Sequence, residues 1–292
     1  MKKQNRLRGP ILLAITAFIW GTSFVAQSIG MDYIEPFTFT AARSFVGSLV
    51  LIPVILVLKW KKVIGKEGNW LKGGIICGVF LFFASVCQQF GILYTSAGEA
   101  GFLTALYIVI VPVLGIFMGK RAGAKVWIAV AVSLVGAFLL SVKDGFEVSR
   151  GVWWLLACAV LFSFHILVCD KYGSEANPVK VSCVQFFTCG VLSLIFALVL
   201  ETPTVYAVSD AIVPILYCGV MSSGVAYTLQ IVGQRYTQPT VASLILSLES
   251  VFSALAGWII LNEVLSTKQL IGCVLVFTAV VLAQLPAKLK RG

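Results

Sequence analysis

Residues 94–121 and 236–263 carry one pattern twice. Tyr94-Thr95, Ala100 and Leu106 match Tyr236-Thr237, Ala242 and Leu248, an offset of 236 − 94 = 142 residues. Carried outward without a gap, the offset pairs Gln88 with Gln230, Gly91 with Gly233, Pro36 with Pro178, and Trp20 with Phe162. Prolines, glycines and tyrosines in step at a single offset mark a duplicated ground plan, which the apolar alphabet of membrane helices does not readily supply by chance.

The repeated units are apolar. Hydrophobic residues make up 59% of the chain and charged residues 12%, against about 25% charged in soluble domains. Runs of about 20 apolar residues separated by short polar breaks read as transmembrane helices. They predict an all-α polytopic membrane protein with ten spans, near 10–29, 36–58, 70–94, 98–118, 124–141, 151–170, 178–200, 211–235, 236–263 and 268–285. Alternation of period two is absent, which argues against an outer-membrane barrel. The first run resembles a signal peptide, but its length and the match of Trp20–Phe24 with Phe162–Ile166 keep it as a span.

A formal charge of +10 could suggest nucleic acid, yet the basic residues lie in the breaks between spans, so no nucleic-acid partner is expected. Placing the amino terminus in the cytoplasm puts 18 of the 22 Lys and Arg on the inner side, with both termini cytoplasmic. Each half (1–141 and 151–292, joined by a linker at 142–150) then holds five spans. An odd number inserts the second half upside down relative to the first. Two inverted five-helix repeats are the architecture of secondary transporters, whose sites lie near the bilayer midplane between the repeats.

A midplane carboxylate stands out. Glu249 follows Pro239 by about ten residues, roughly 15 Å into its helix at the α-helical rise. A charge at that depth costs at least about 2.5–3.5 kcal/mol unless it faces protein or water, so it marks a candidate site. Its repeat partner is Tyr107, since 249 − 107 = 142, and only midplane residues can meet their counterparts on the symmetry axis. Desolvation disfavours a charged carboxyl, which makes Glu249 a proton-coupling candidate; a structural carboxyl held by Tyr107 or Gln230 is the alternative.

Other polar residues within spans are weaker candidates for a substrate cavity. Arg43 could receive an anionic group, snorkel outward, or pair with Glu35 or Glu99. His165, the one histidine, is either a packed polar residue or a relay. Gln88 and Gln230 face the bundle or a path through it. Ser23, with Thr22, Gln27 and Trp20, forms a polar patch late in the first span. The eight cysteines lie in or at the ends of apolar runs without a CxxC pair and read as small packing residues. No HExxH, GxSxG or glycine-rich GKS/GKT loop is present, so neither metal, cofactor nor enzymatic activity is expected.

Ser247-Leu248-Glu249-Ser250-Val251-Phe252-Ser253-Ala254-Leu255-Ala256-Gly257-Trp258, followed by Leu261-Asn262-Glu263, resembles the ninth helix of the EamA family of the drug/metabolite transporter superfamily. Trp20-Gly21-Thr22-Ser23-Phe24 and Thr95-Ser96-Ala97-Gly98-Glu99-Ala100 resemble that family's first and fourth helices. Departures are Ser250, where the family often has proline, Asn262, where it often has glycine, and Lys120 in the matching slot of the first half. The resemblance implies an inner-membrane or plasma-membrane carrier that exports or exchanges a small metabolite by alternating access; it does not identify the substrate, for which an amino acid or related compound is the expectation. It also implies that the fifth and tenth spans pack outside the cavity or pair two copies as a homodimer. A non-transporting intramembrane binding or scaffold protein is the alternative, with an intramembrane enzyme further behind.

Overall fold

Three prolines set helix starts. Pro36, Pro178 and Pro239 each occupy the first helical turn, where a missing N–H costs nothing and the fixed φ is already helical. The computed structural model describes residues 7–61, 67–117, 119, 123–141, 150–264 and 266–284. The linker expected at 142–149 and the basic residues Lys2, Lys3, Arg6, Lys62, Lys66, Lys120, Arg121, Lys143, Lys288, Lys290 and Arg291 lie outside the described residues.

The first half comprises α1 (Arg8–Gly30), α2 (Pro36–Trp60), α3 (Trp70–Ile92), α4 (Ala97–Thr104), α5 (Tyr107–Phe117) and α6 (Ala124–Ser141). The second comprises α7 (Arg150–Glu175), α8 (Pro178–Leu200), α9 (Val205–Asp210), α10 (Ile212–Tyr217), a π-helical segment Cys218–Ala226, α11 (Tyr227–Gln234), α12 (Pro239–Leu246), α13 (Leu248–Ile260) and α14 (Thr267–Gln284). No strand occurs among the described residues. Among the described residues, eight helical stretches are long and apolar enough to cross a membrane, and α6 and α14 contribute two shorter apolar helices, Ala124–Leu139 and Thr267–Ala283.

Helices of the first half that start at 8, 36, 70 and 97 have counterparts starting at 150, 178, 212 and 239, each 142 residues on. The counterparts α2 and α8 pack side by side and run antiparallel. Thr38 contacts Glu201, Ser44 contacts Cys189 and Ser48 contacts Cys183, so one sequence number rises as the other falls. The α6 and α14 counterparts likewise pack against each other, and α1 packs on α13 while α7 packs on α5. Gly74 and Gly78 let α3 approach α8 closely; a Cβ on Gly78 would sit 2.7 Å from the Gln185 carbonyl. The Pro239–Ile260 stretch is the most enclosed of these, with 72% of an 18-residue apolar segment buried against 33% for α2 and for α8.

Four local features depart from continuous ten-span expectations. The span carrying Glu249 breaks between α12 and α13, where Ser243, Ser247 and Ser250 hydroxyls donate to carbonyls three residues back, at 3.0, 2.8 and 2.7 Å. Such back-bonding competes with the helical ladder. Its counterpart breaks between α4 and α5 at the matching place. There the amides of Leu106, Ile108 and Val109 bond three residues back, and Pro112 leaves the Ile108 carbonyl without its helical donor. The span near 211–235 contains a nine-residue π-helical segment. Its Gly219 seats against Val46 and lies within 3.0 Å (to an added Cβ) of the Arg43 carbonyl, and Thr228 donates to the Gly224 carbonyl at 2.7 Å. Finally, α7 runs to Glu175 rather than stopping near Asp170, because the Arg235 guanidinium donates to the carbonyls of Gly173 and Ala176 at its end.

At the opposite end, Glu201 closes the α2 amino terminus. Its carboxylate accepts from the Phe37 and Thr38 amides at 2.7 Å each and from the Thr38 hydroxyl at 2.6 Å. A carboxylate there also complements the helix dipole. Glu35 returns the contact by accepting from the Thr202 amide at 3.2 Å. Asn262 adopts a positive φ of 55°, which asparagine tolerates better than most side chains.

Gly21 fixes how α1 meets α13. An added Cβ would collide with the Phe252 Cβ and lie 2.9 Å from the Glu249 carbonyl oxygen. Overpacking of this kind costs about 1–3 kcal/mol. Gly21→Ala is therefore expected to lower the unfolding temperature in detergent, and Gly21→Val to lower it further; an unchanged melting curve would show that α1 does not lie this close to α13.

Candidate functional site

Glu249 sits in the first turn of α13 and Tyr107 begins α5, so both side chains enter the interior where a span restarts after its break. Tyr107 Oη donates to Glu249 Oε1 at 2.8 Å. Both are almost fully buried, at 1% and 2% exposure. The bond joins residues 142 apart, which places the two repeat counterparts in direct contact.

This pair forms one wall of a narrow cavity of about 20 Å³ between the two halves. Held by the Gly21 contact, α1 supplies Trp20, Ser23, Phe24 and Gln27 to the lining. The Trp20 ring packs on Tyr227 with centroids 4.5 Å apart, and its indole N–H has no partner among the described residues. Ser23 satisfies its own hydroxyl by donating to the Ile19 carbonyl at 2.6 Å. From α3, Gln88 donates to Thr104 Oγ1 at 3.4 Å.

Arg43 enters from α2 at 5% exposure. Its Nη1 donates to Gln27 Oε1 at 2.7 Å, and the guanidinium stands 5.7 Å from the centre of the Phe39 ring. It therefore neither snorkels outward nor pairs with Glu35. A guanidinium carries five N–H donors in a fork suited to a carboxylate. Here an amide oxygen and an aromatic face meet a cation whose burial ordinarily demands a counter-charge.

Six of the eight residues expected from sequence thus share this cavity: Glu249, Tyr107, Gln88, Arg43, Ser23 and Trp20. His165 and Gln230 lie outside it. His165 is fully buried, with Nε2 3.1 Å from Gln185 Oε1 and 3.4 Å from the Cys169 thiol. Gln230 is also fully buried, and neither its amide nitrogen nor its oxygen has a hydrogen-bond partner among the described residues. An unpaired buried polar group costs about 1–3 kcal/mol.

The lining also includes residues that sequence reasoning did not single out. Phe162 and Ile166 were within reach, because they are the counterparts of Trp20 and Phe24 and stand four residues apart on one helical face. Tyr227, Thr104 and Ser222 carried no such signal, since their counterparts Ser85, Leu246 and Phe80 are chemically unlike them. Among the described residues no group of three or more His, Cys, Asp or Glu could hold a metal ion.

The arrangement can do two things chemically. Arg43 offers charge and directed donors to an anionic group, while Glu249 offers a carboxyl to a cationic group or a proton. Between them Trp20, Tyr227 and Phe162 supply apolar faces.

Known proteins share this plan. The EamA-like transporter family model matches residues 7–142 and again 149–285. A protein of Archaeoglobus fulgidus named "Uncharacterized transporter" is 31% identical over 283 residues, spanning 96% of this chain and 87% of its own. A WAT1-related chloroplastic protein of Arabidopsis thaliana is 23% identical over 92% of this chain and 67% of its own length. A solved crystal structure superposes with a TM-score of 0.80 at 20% identity, covering 97% of this chain and 100% of that one, which speaks to fold. The duplicated helices, the family match across both halves and the relatives' names agree: the chain is a multi-pass membrane protein of the EamA-like transporter family, within the drug/metabolite transporter superfamily.

Proposed function

We propose that this protein is a secondary transporter that carries a small zwitterionic metabolite, an amino acid or a closely related compound, across the cytoplasmic or plasma membrane by alternating access. The observation that carries the reading is the coexistence of Arg43 and Glu249 on one buried cavity, each met by a neutral partner. A zwitterion supplies both missing charges at once. The cavity is tight, about 20 Å³, room for about one water, so a substrate enters it only as the bundle opens.

In this reading the helices form ten spans that all cross the bilayer. The α6 and α14 helices have 18 residues each, about 27 Å at the α-helical rise, near the ~30 Å hydrocarbon core. Residues 1–141 and 151–292 form two inverted repeats with both termini in the cytoplasm, supported by the antiparallel course of α2 and α8 and by the bias of basic residues. Glu249 is the candidate for proton coupling.

The test is uptake into liposomes holding purified protein and preloaded with an unlabelled amino acid mixture. Radiolabelled zwitterionic amino acids are expected to exchange inward, whereas purely anionic or purely cationic analogues of equal size are not. Exchange of neither zwitterions nor singly charged analogues would sink the proposal.

A further inference from the structure

The 142-residue offset sorts the cavity lining into two kinds of residue. Near the axis both counterparts line it, as with Tyr107 and Glu249, Trp20 and Phe162, and Phe24 and Ile166. Away from the axis only one of each pair does. Ser23, Gln27, Arg43 and Gln88 all line the cavity, and all lie toward the end of the molecule where α1 turns into α2. Their counterparts His165, Cys169, Gln185 and Gln230 lie toward the other end, where α7 turns into α8, and are sealed.

This sealed cluster is polar without reason in the present arrangement. His165 Nε2 lies 3.1 Å from Gln185 Oε1, and Cys169 lies 3.4 Å from the same imidazole nitrogen. Yet Gln185 Nε2 and both polar atoms of Gln230 have no partner among the described residues, although each residue is fully buried. Their counterparts Arg43 and Gln88 are engaged within the cavity. Buried amides in a membrane-spanning bundle find partners or water in some state of the protein.

We propose that His165, Gln185 and Gln230 form a second half-site for the same small polar metabolite, engaged when the bundle opens at the α7–α8 end. The inference rests on the transporter reading above. The two half-sites are not chemically equal. A guanidinium grips an anionic group at the α1–α2 end, and an amide with an imidazole replaces it at the α7–α8 end. Neutral donors hold a carboxylate more weakly than a charged fork does. The substrate is consequently bound more loosely, and released more readily, at the α7–α8 end.

Cys169 is a built-in reporter of this opening. A membrane-impermeant, positively charged methanethiosulfonate is applied to the full-length protein in liposomes, from one face at a time, and modification is read by mass spectrometry of the Cys169 peptide. The thiol introduced at the counterpart position by Gln27→Cys is read in the same way, with Ser23→Cys as a substitute should that variant fail to fold. The expected result is modification of Cys169 from the α7–α8 face alone and of the introduced thiol from the α1–α2 face alone. Modification of the introduced thiol with Cys169 untouched from either face would overturn the half-site and leave the cavity standing. If neither thiol reacts, the water-filled path itself is wrong and the transporter reading falls with it.

Discussion

Glu249→Gln is expected to weaken exchange of zwitterionic amino acids strongly while leaving the protein folded. The variant keeps an oxygen to accept from Tyr107 Oη, so the 2.8 Å bond that joins the two halves survives. What disappears is the carboxyl, and with it any charge-assisted contact to a substrate ammonium. Hydrogen bonds to charged groups contribute about 1.5–3 kcal/mol, so affinity should fall by about 10–100-fold. Any dependence of uptake on a proton gradient should vanish as well. Glu249→Ala differs in kind: it strands the almost fully buried Tyr107 hydroxyl, at a cost of about 1–3 kcal/mol. It should therefore melt at a lower temperature than Glu249→Gln. Equal melting of the two variants would mean that the Tyr107 contact contributes nothing.

Arg43→Met is the second large effect, and it separates recognition from stability. Met keeps much of the apolar stem but loses every donor. Loss of a bidentate contact to a substrate carboxylate should raise the apparent Kd by about 10–100-fold. Stability should change much less, because the unpaired Gln27 oxygen is offset by removal of a buried cation that had no carboxylate partner among the described residues. Arg43→Lys should not restore affinity, since an ammonium on a flexible stem cannot reproduce the planar fork. Titrations of the three proteins with one transported amino acid decide this. Wild-type affinity in Arg43→Met would show that the guanidinium faces no substrate.

The repeat was legible because its markers act locally. Pro36, Pro178 and Pro239 start helices by geometry alone, and a single offset then fixes the remaining boundaries. The same offset anticipated that Tyr107 and Glu249 could meet, since a residue and its counterpart can touch only on the axis. Tertiary effects were harder to read. The extension of α7 to Glu175 depends on Arg235, 62 residues beyond the Gly173 carbonyl that it caps. The α12–α13 break lies in the run Ser243, Ser247 and Ser250, whose hydroxyls read equally well as packing or as back-bonding. Tyr227 gave no warning: its place in the cavity follows from the π-helical segment preceding it, and hydropathy does not distinguish that from an α-helix.

The cavity and its polar pair carry the functional account, and ligand binding tests them most directly. Purified wild type and Glu249→Gln are heated side by side in detergent with a panel of amino acids, sugars, nucleosides and organic cations. A ligand present at a hundredfold excess over Kd stabilises the folded state by about 2.7 kcal/mol. The account predicts that one or more zwitterionic amino acids raise the melting temperature of wild type, with little or no rise in Glu249→Gln. Equal rises in both proteins would contradict it, for the ligand would then be held without the Glu249 carboxyl.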